Sequence, residues 1–273
     1  MQNMDSFYIV SNSMKDKNLE VTRRVVSFLR RNKKFVFPDT GLDGSHVSAP
    51  EDIDCVISIG GDGTMIKAVR ELADRDVLFV GINLGTIGFL TDVETASLES
   101  SLQRLMDGRY DVEERMMITG CVNDGDEKLA LNDITMARSG PLSVLEYRVY
   151  VNDNFLTSYR ADGVIVSTPT GSTGYNLSAG GPIVKPNSQV MVITPICAHT
   201  LNSRSIVLGK RDVVRVEVIW DRSGGAADVS YDGENHTPLN IGDAVTIKAA
   251  SKTTRFVRMS SESFVTLLSQ KLR

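Results

Sequence analysis

The amino-acid sequence predicts two domains, an N-terminal α/β domain with a parallel sheet and a C-terminal β-rich domain. The length of 273 residues is enough for two domains of roughly 100 to 150 residues each. The early part of the chain alternates short apolar runs with helical patterns, whereas the later part mostly alternates apolar and polar side chains with a period of two. We therefore place the domains at residues 1–100 and 101–257, followed by a final helix.

The N-terminal domain alternates strands with helices. We predict strands at Phe7–Val10, Cys55–Ile59 and Val77–Ile82, with helices at Leu19–Arg31 and Met65–Ala73. Strands separated by helices at this spacing pair in parallel through right-handed crossovers. Residues 39–51 are predicted to form a loop. The first helix carries arginines opposite its apolar residues, which we interpret as a solvated face: Arg23, Arg24, Arg30 and Arg31.

The C-terminal domain consists mainly of predicted strands. A helix at Leu98–Met106 precedes them, and a final amphipathic helix is predicted at Ser263–Leu272. Turn signals containing Asn, Asp, Ser or Gly separate the strands. The predicted strands are Glu146–Val151, Gly163–Ser167, Val190–Thr194, Val213–Trp220, Ala244–Ala250 and Thr254–Met259, and the turns are Asn123–Gly125, Asn152–Asn154, Ser223–Gly225 and Ile241–Asp243.

Composition and charge argue against several classes of protein. The 30 Lys and Arg residues are outnumbered by 34 Asp and Glu residues, and a net charge of -4 provides no positive field for nucleic acid. The longest apolar stretch, Val77–Leu90, is shorter than the roughly 20 residues of a membrane-spanning helix, and no secretory signal follows Met1. The 3 cysteines and 3 histidines are scattered, so neither a disulfide framework nor a local protein-built metal site is expected. We expect a cytoplasmic protein without a membrane or nucleic-acid partner.

The segment Gly60–Thr64, with the sequence Gly-Gly-Asp-Gly-Thr, lies between the strand Cys55–Ile59 and the next helix. In a parallel α/β sheet, ligands bind at the carboxyl ends of strands, where a glycine-rich turn offers backbone N–H groups to phosphate oxygens. We expect its glycines to adopt positive φ and let an anion approach closely. Asp62, the carboxylate between them, is suited to bind a metal or accept a proton. The alternative is a tight turn that Asp62 or Thr64 caps.

Two further glycine-rich segments follow predicted strands. Residues 83–90 follow Val77–Ile82, which places them at the same sheet edge as Gly60–Thr64 and indicates a cleft. Residues 168–182 follow Gly163–Ser167 and are rich in hydroxyl side chains, which suit a ribose or a pyrophosphate. A long structural loop is the alternative for residues 168–182.

Together these segments closely resemble the ATP-dependent NAD kinases of bacteria. The resemblance implies a Rossmann-like N-terminal domain, a C-terminal β-rich domain that supplies most of the NAD pocket, and a C-terminal helix, about residues 258–273, that returns to the first domain. It also implies transfer of the terminal phosphoryl group of ATP to the 2'-hydroxyl of the adenosine ribose of NAD, which makes NADP. The matching segments run in family order: Gly60–Thr64 with Met65–Arg70, Asn83–Leu90, Leu131–Asp133, Asp162–Gly163, Thr168–Pro182 and Asp232–Gly233.

The resemblance also implies residue roles. Asp62 corresponds to the general base. Asn132 and Asp133 correspond to contacts with the adenine nucleotide, and Asp162 to the acidic residue on the nicotinamide side. Phe89 and Tyr175 are expected near the ligand, with core packing as the alternative. The full set of implied ligand-binding residues is Gly60, Gly61, Gly63, Thr64, Lys67, Phe89, Asn132, Asp133, Arg160, Asp162, Thr173, Gly174, Tyr175, Asn176, Ser178 and Glu234.

This sequence departs from the family pattern at two implied ligand positions. Gly174 replaces a common Ala, which should loosen that turn slightly. Glu234 replaces a frequent Gln, so an acceptor stands where the family has an amide donor. The resemblance further implies Mg²⁺ or another divalent cation as cofactor, ATP and NAD as substrates, and a homodimer or homotetramer.

Two other functions fit parts of the pattern. Lipid kinases of the diacylglycerol and sphingosine type share the Gly-Gly-Asp-Gly-Thr loop, and phosphofructokinases have a related form of it. The lipid kinases usually continue with an Asn-Glu pair where this chain has Met65, Ile66 and Lys67. A non-catalytic dinucleotide sensor would not need Asp62. His199, in an apolar-flanked segment, is expected to pack structurally rather than act in acid–base chemistry.

Overall fold

The computed structural model describes residues 4–40, 47–72, 74–85, 88–139, 144–199, 203–220, 226–259 and 262–271. These residues pack into two compact units: unit 1 comprises Met1–Glu114 and Thr254–Arg273, and unit 2 comprises Arg115–Thr253. No helix of the described residues is long and apolar enough to cross a membrane. The predicted turn Ser223–Gly225 lies outside the described residues.

The helices and strands are numbered in chain order. The helices are α1 (Glu20–Arg31), α2 (Asp62–Leu72), α3 (Leu98–Met106), α4 (Tyr175–Ser178) and α5 (Phe264–Lys271). The strands are β1 (Ser6–Ser11), β2 (Phe35–Pro38), β3 (Cys55–Gly60), β4 (Leu78–Asn83), β5 (Val93–Glu94), β6 (Asp111–Val122), β7 (Lys128–Ala130), β8 (Asp133–Ser139), β9 (Leu145–Val151), β10 (Asn154–Ala161), β11 (Gly163–Ser167), β12 (Val190–Ile196), β13 (Ile206–Gly209), β14 (Val214–Trp220), β15 (Ala226–Tyr231), β16 (Glu234–Leu239) and β17 (Ala244–Arg258).

Unit 1 is built on a parallel sheet in the order β2-β1-β3-β4. The end of β17 extends it, with Arg255 and Phe256 in parallel register with Leu78 and Phe79 of β4. Helices α1 and α3 share one apolar core with the sheet, and α2 packs on β3 and β4. The parallel α/β prediction is therefore confirmed, and the arginines of α1 are exposed as expected. Because β1, β3 and β4 run in parallel, their carboxyl ends meet at one edge.

Unit 2 is built on antiparallel strand pairs and also contains the short helix α4. One group of strands pairs in the order β10-β9-β14-β17, and a six-stranded sheet runs β13-β12-β11-β8-β15-β16. Inward-facing residues of both groups form one apolar core that includes Tyr147, Val166, Val216 and Tyr231. The prediction of a β-rich second half is confirmed.

The structure differs from the predicted elements in several places. The predicted boundary at residue 100 lies inside α3, whose residues Leu98, Leu102 and Leu105 are buried in the core of unit 1. The two predicted strands at 244–250 and 254–259 form one strand, β17. The polar residues that separate the two predictions lie within β17 and are mostly exposed, so they do not interrupt it. Strands such as β6 and β8 were not predicted.

Candidate active site

The Gly-Gly-Asp-Gly-Thr segment forms the passage from β3 to α2. Strand β3 ends at Gly60, and α2 begins at Asp62 rather than at the predicted Met65. The backbone N–H of Thr64 donates to the carbonyl of Gly61 at 3.0 Å, so the segment is itself the first turn of the helix. A carboxylate in the first turn is stabilised by the partial positive charge of a helix N-terminus.

In this segment, lack of space requires a glycine at position 60, and no glycine of the segment has an unusual backbone angle. The expectation of positive φ is wrong, since none of Gly60, Gly61 and Gly63 has a positive φ. A Cβ on Gly60 would lie 2.3 Å from Oγ1 of Thr64. This distance is too short for a contact between two heavy atoms that are not bonded to each other. A Cβ on Gly63 would meet nothing within 4 Å, and Gly63 is exposed. The loop is therefore tightly packed at Gly60 and open to solvent at Gly63.

The carboxylate of Asp62 contacts the second glycine-rich segment, residues 83–90. Its Oδ2 accepts the backbone N–H of Phe89 at 2.8 Å, and its Oδ1 accepts that of Leu90 at 3.1 Å. Oγ1 of Thr91 lies 3.5 Å from Oδ1. A Cβ on Gly88 would lie 1.8 Å from Oδ1, so only glycine leaves room for the carboxylate there. The structure therefore brings together the two glycine-rich segments that the sequence placed at one sheet edge.

Phe89 is held by the C-terminal helix. Its ring lies 6.0 Å from that of Phe264 in α5, centroid to centroid, and Nζ of Lys271 lies 5.0 Å from its centroid. Phe89 is half-buried and lies outside the core of unit 1. Lys67 points to solvent on α2, with Nζ 3.9 Å from Oε1 of Glu71.

In unit 2, one carboxylate fastens the Leu131–Asp133 segment. Asp232 accepts the backbone N–H of Leu131 at 2.9 Å, of Asn132 at 2.7 Å and of Asp133 at 3.2 Å. Asp232 and Gly233 form the turn between β15 and β16, with φ of 53° and 75°. Glycine and Asp are among the residues that adopt such angles most readily.

The same segment is bonded to the start of the hydroxyl-rich loop. Oγ1 of Thr168 donates to the carbonyl of Leu131 at 2.6 Å, and its N–H donates to that of Asn132 at 2.8 Å. A Cβ on Gly171 would lie 2.1 Å from the carbonyl oxygen of Asn132. The side-chain Oδ1 of Asn132 is buried, and no described residue donates a hydrogen bond to it. Two ligand-binding candidates of the sequence, the 131–133 segment and the 168–178 loop, therefore lie in contact.

Asp133 is a buried acid at the start of β8. Burial, with the neighbouring Asp232 carboxylate as second cause, raises its pKa from 3.8 to about 7, while the hydroxyl of Thr135 at 2.9 Å opposes the shift. Such a group exchanges a proton near neutral pH, which is common at functional sites.

Tyr175, the first residue of α4, is exposed to solvent. Its side chain is 47% exposed, so the core-packing alternative does not hold for it. Burial of its hydroxyl raises the pKa of Tyr175, and the charges of Cys197, Asp133 and Asp162 raise it further. Thr173, Gly174 and Ser178 flank it, with the first two half-buried and Ser178 exposed.

Asn176 differs from its neighbours because it is fully buried. Its Nδ2 donates to the carbonyls of Ser172 at 3.2 Å and Pro182 at 3.1 Å, and its Oδ1 accepts the hydroxyl of Thr194 at 2.7 Å. A Cβ on Gly181 would lie 2.1 Å from Oδ1. Both amide hydrogens are thus used inside the protein, and Asn176 fixes the shape of the loop.

The remaining candidates lie near the surface of unit 2. Asp162 forms an ion pair with Arg138, Oδ1 to Nε at 3.0 Å. Arg160 and Glu234 are exposed. His199, expected to pack structurally, is also exposed, because it lies beyond the end of β12.

Sequence reasoning did not assign site roles to Gly88, Arg138 or Asp232. Gly88 was part of a noted segment, but nothing in the sequence connects it with Asp62. Asp232 was noted as a family match, and its Asp-Gly dipeptide is a strong hairpin signal. The capping of residues 131–133 across a separation of 100 residues has no local signature.

Both halves of the chain match family descriptions. Residues 7–110 match the ATP-NAD kinase N-terminal domain, and residues 131–259 match the ATP-NAD kinase C-terminal domain.

Similar proteins include two bacterial NAD kinases. Those of Lachnospira eligens and Lachnoclostridium phytofermentans are each 38% identical; the first match covers 98% of this chain and 100% of the relative, the second 98% and 99%. A solved yeast NADH kinase complexed with NADH shares the fold, with a TM-score of 0.89, 23% identity and coverage of 100% of this chain and 88% of that one. An NAD kinase from Archaeoglobus fulgidus in complex with ATP has a TM-score of 0.79, 24% identity and 97% coverage of both chains.

Proposed function

The chain belongs to the ATP-NAD kinase family, and on that premise we propose that it transfers the terminal phosphoryl group of ATP to the 2'-hydroxyl of the adenosine ribose of NAD. The observation that carries this proposal is the placement of Asp62. Its carboxylate lies in the first turn of α2, inside the glycine loop and bonded to the 83–90 segment.

Asp62 is proposed as the general base. A carboxylate offers about four lone-pair positions, and the contacts with Phe89, Leu90 and Thr91 use three at most. One position remains for the hydroxyl proton of the acceptor. Phosphoryl transfer passes through a loose transition state, so catalysis depends mainly on alignment and on charge stabilisation. A weak base that takes the proton late in the reaction is therefore sufficient.

The acceptor dinucleotide is proposed to bind the residues that unit 2 brings together. Asn132, with its unpartnered buried Oδ1, is suited to accept a hydrogen bond from an amino group such as that of adenine. Asp133, Tyr175 and Asp162 provide further polar groups, and the two carboxylates raise the pKa of the phenol. The bound NADH of the yeast neighbour supports a dinucleotide ligand for this fold.

The donor is proposed to be ATP, as in the complex of the archaeal neighbour. Backbone N–H groups at the start of α2 would face its phosphates. The described residues contain no group of three or more His, Cys, Asp or Glu side chains fit to hold a metal. We therefore propose that a divalent cation, Mg²⁺ by preference, arrives bound to the ATP phosphates, as this ion commonly does. A cytoplasmic homodimer or homotetramer remains part of the proposal.

A direct test uses the purified protein with ATP, Mg²⁺ and NAD. NADP is detected through a strictly NADP-dependent dehydrogenase, and NADH and diacylglycerol are offered in parallel as acceptors. Formation of NADP with no lipid phosphorylation supports the proposal. Phosphorylation of diacylglycerol without NADP would favour the lipid kinase, and tight NAD binding without any product would favour a sensor.

A further inference from the structure

A lysine from another loop lies directly against the glycine loop. Nζ of Lys15 is 3.2 Å from the position that a Cβ on Gly61 would occupy. Lys15 follows β1, the strand next to β3, so it belongs to the same sheet edge as the Gly-Gly-Asp-Gly-Thr segment. Among the described residues, no carboxylate lies within ion-pair distance of this ammonium group.

The turn that carries Lys15 is braced at its start by Asn12. The N–H of Asn12 donates to the carbonyl of Ile59 at 2.9 Å, which ties the turn to the end of β3. Its side-chain Oδ1 accepts the N–H groups of Met14 at 3.1 Å and of Lys15 at 3.2 Å. The backbone position of Lys15 is therefore fixed relative to the glycine loop.

Asp16 braces the other end of the turn. Its carboxylate is 3% exposed and accepts the N–H groups of Val21 at 3.0 Å and of Thr22 at 2.9 Å, together with the Thr22 hydroxyl at 2.6 Å. These bonds use the carboxylate of Asp16 to fix the start of α1. The neighbouring ammonium of Lys15 keeps its positive charge available to another anion.

An open cavity adjoins this ammonium. It has a volume of about 580 Å³ and is lined by residues that include Lys15, Lys17, Asn83 and Leu84, together with the acidic residues Asp16, Glu20 and Glu94. Asn83 and Leu84 lie at the carboxyl end of β4, where ligands bind in parallel α/β sheets. The cavity is therefore lined by side chains of both charges, and Lys15 is a lining residue whose ammonium also lies against Gly61 of the loop that holds Asp62.

From these contacts we infer that Lys15 binds the phosphates of the donor nucleotide. The inference rests on the proposed function for the identity of that donor. A lysine ammonium is a compact point charge that pairs with phosphate oxygens without a fixed bidentate geometry. A hydrogen bond to a charged group contributes about 1.5–3 kcal/mol, so its loss should weaken donor binding by about tenfold or more.

The kinetic test compares Lys15→Met and Lys15→Arg with the wild type. Met keeps the length of the side chain but removes its charge, and Arg retains the charge. We expect Lys15→Met to raise the KM for ATP by about tenfold and to leave the KM for NAD within about twofold, with Lys15→Arg recovering most of the loss. Lys210→Met, which removes an exposed lysine of unit 2, is the charge-matched control. An unchanged KM for ATP in Lys15→Met would overturn the inference.

A binding measurement separates this inference from the proposed function. Calorimetric titration of Mg²⁺ and ATP, without NAD, into wild type and Lys15→Met reads donor binding even if no NADP forms. Weaker ATP binding by the variant supports Lys15 as a phosphate-binding residue. Equal binding overturns the inference, whatever the turnover, and absence of ATP binding by the wild type overturns both proposals.

Discussion

The carboxylate of Asp62 accepts a 2.8 Å hydrogen bond from the backbone N–H of Phe89. This bond joins two glycine-rich segments through residues that are 27 positions apart in sequence. It also explains the glycine at position 88, since any side chain there would overlap the carboxylate. Phe89 is in turn packed against Phe264 of α5, so this helix contacts a residue that donates a hydrogen bond to Asp62.

Substitution of Gly88 by Ala should impair turnover through Asp62. The new Cβ would lie 1.8 Å from Oδ1, so the carboxylate or the segment must move. Displacement of a reacting group by about 1 Å costs on the order of 100-fold in rate. We expect kcat to fall by about 100-fold while NAD binding, measured by calorimetry, changes little.

Gly85→Ala provides the comparison within the same segment. A Cβ at Gly85 would meet nothing within 4 Å, so this variant should lose far less activity than Gly88→Ala. Similar losses in the two variants would show that the segment tolerates no alanine at all, and that the contact with Asp62 is not the cause.

Removal of the Asp232 carboxylate should loosen the 131–133 segment. Asp232→Ala leaves the N–H groups of Leu131, Asn132 and Asp133 without this acceptor. Hydrogen bonds to charged groups contribute about 1.5–3 kcal/mol each, so we expect a loss of about 2–4 kcal/mol in the free energy of unfolding, measured with urea.

The same variant should affect NAD more than ATP if the segment binds the acceptor. We expect its KM for NAD to rise by about tenfold and its KM for ATP to change by less than about twofold. Asp232→Asn retains one acceptor oxygen and should lie between wild type and Asp232→Ala in both measurements. A loss of stability with both KM values unchanged would assign Asp232 a purely structural role.

Asp133 should make folding stability depend on pH. Its pKa is about 7 in the folded protein and near 3.8 when unfolded, so the folded state binds the extra proton between these values. The free energy of unfolding therefore falls by up to about 4 kcal/mol as pH rises from about 4 to 7. Above pH 7, Asp133 causes no further change.

Asp133→Asn tests this prediction, because an amide can still accept the Thr135 hydrogen bond. The difference in unfolding free energy between wild type and variant should decrease from pH 4 to pH 7. A constant difference across this range would contradict the raised pKa.

The sequence predicts this fold well wherever one local pattern decides the structure. The parallel strands β1, β3 and β4 are continuous apolar runs followed by glycine or polar residues, so their positions and their common edge could be predicted. Strand β8 was missed because only its first residue, Asp133, was considered, and only as a ligand contact. The single strand β17 was divided in two because exposed polar residues interrupt its pattern.

The candidate site is less predictable, since its geometry depends on long-range contacts. The glycine loop could be recognised, but the reason for Gly60 is the side chain of Thr64 and not a positive φ. The contacts of Asp62 with residues 89–90, of Asp232 with residues 131–133, and of Lys15 with Gly61 all join segments that have no common local pattern. Each depends on how the strands are ordered in a sheet.

The central claim is that Asp62 accepts the proton of the acceptor hydroxyl. The most direct measurement compares wild type and Asp62→Asn for NADP formation with ATP and Mg²⁺, together with NAD binding by calorimetry. Asp124→Asn, which neutralises an exposed carboxylate in a turn of unit 2, controls for the loss of one charge. We predict that Asp62→Asn abolishes NADP formation and binds NAD nearly as tightly as the wild type. NADP formation by Asp62→Asn at a rate close to that of the wild type would contradict the claim.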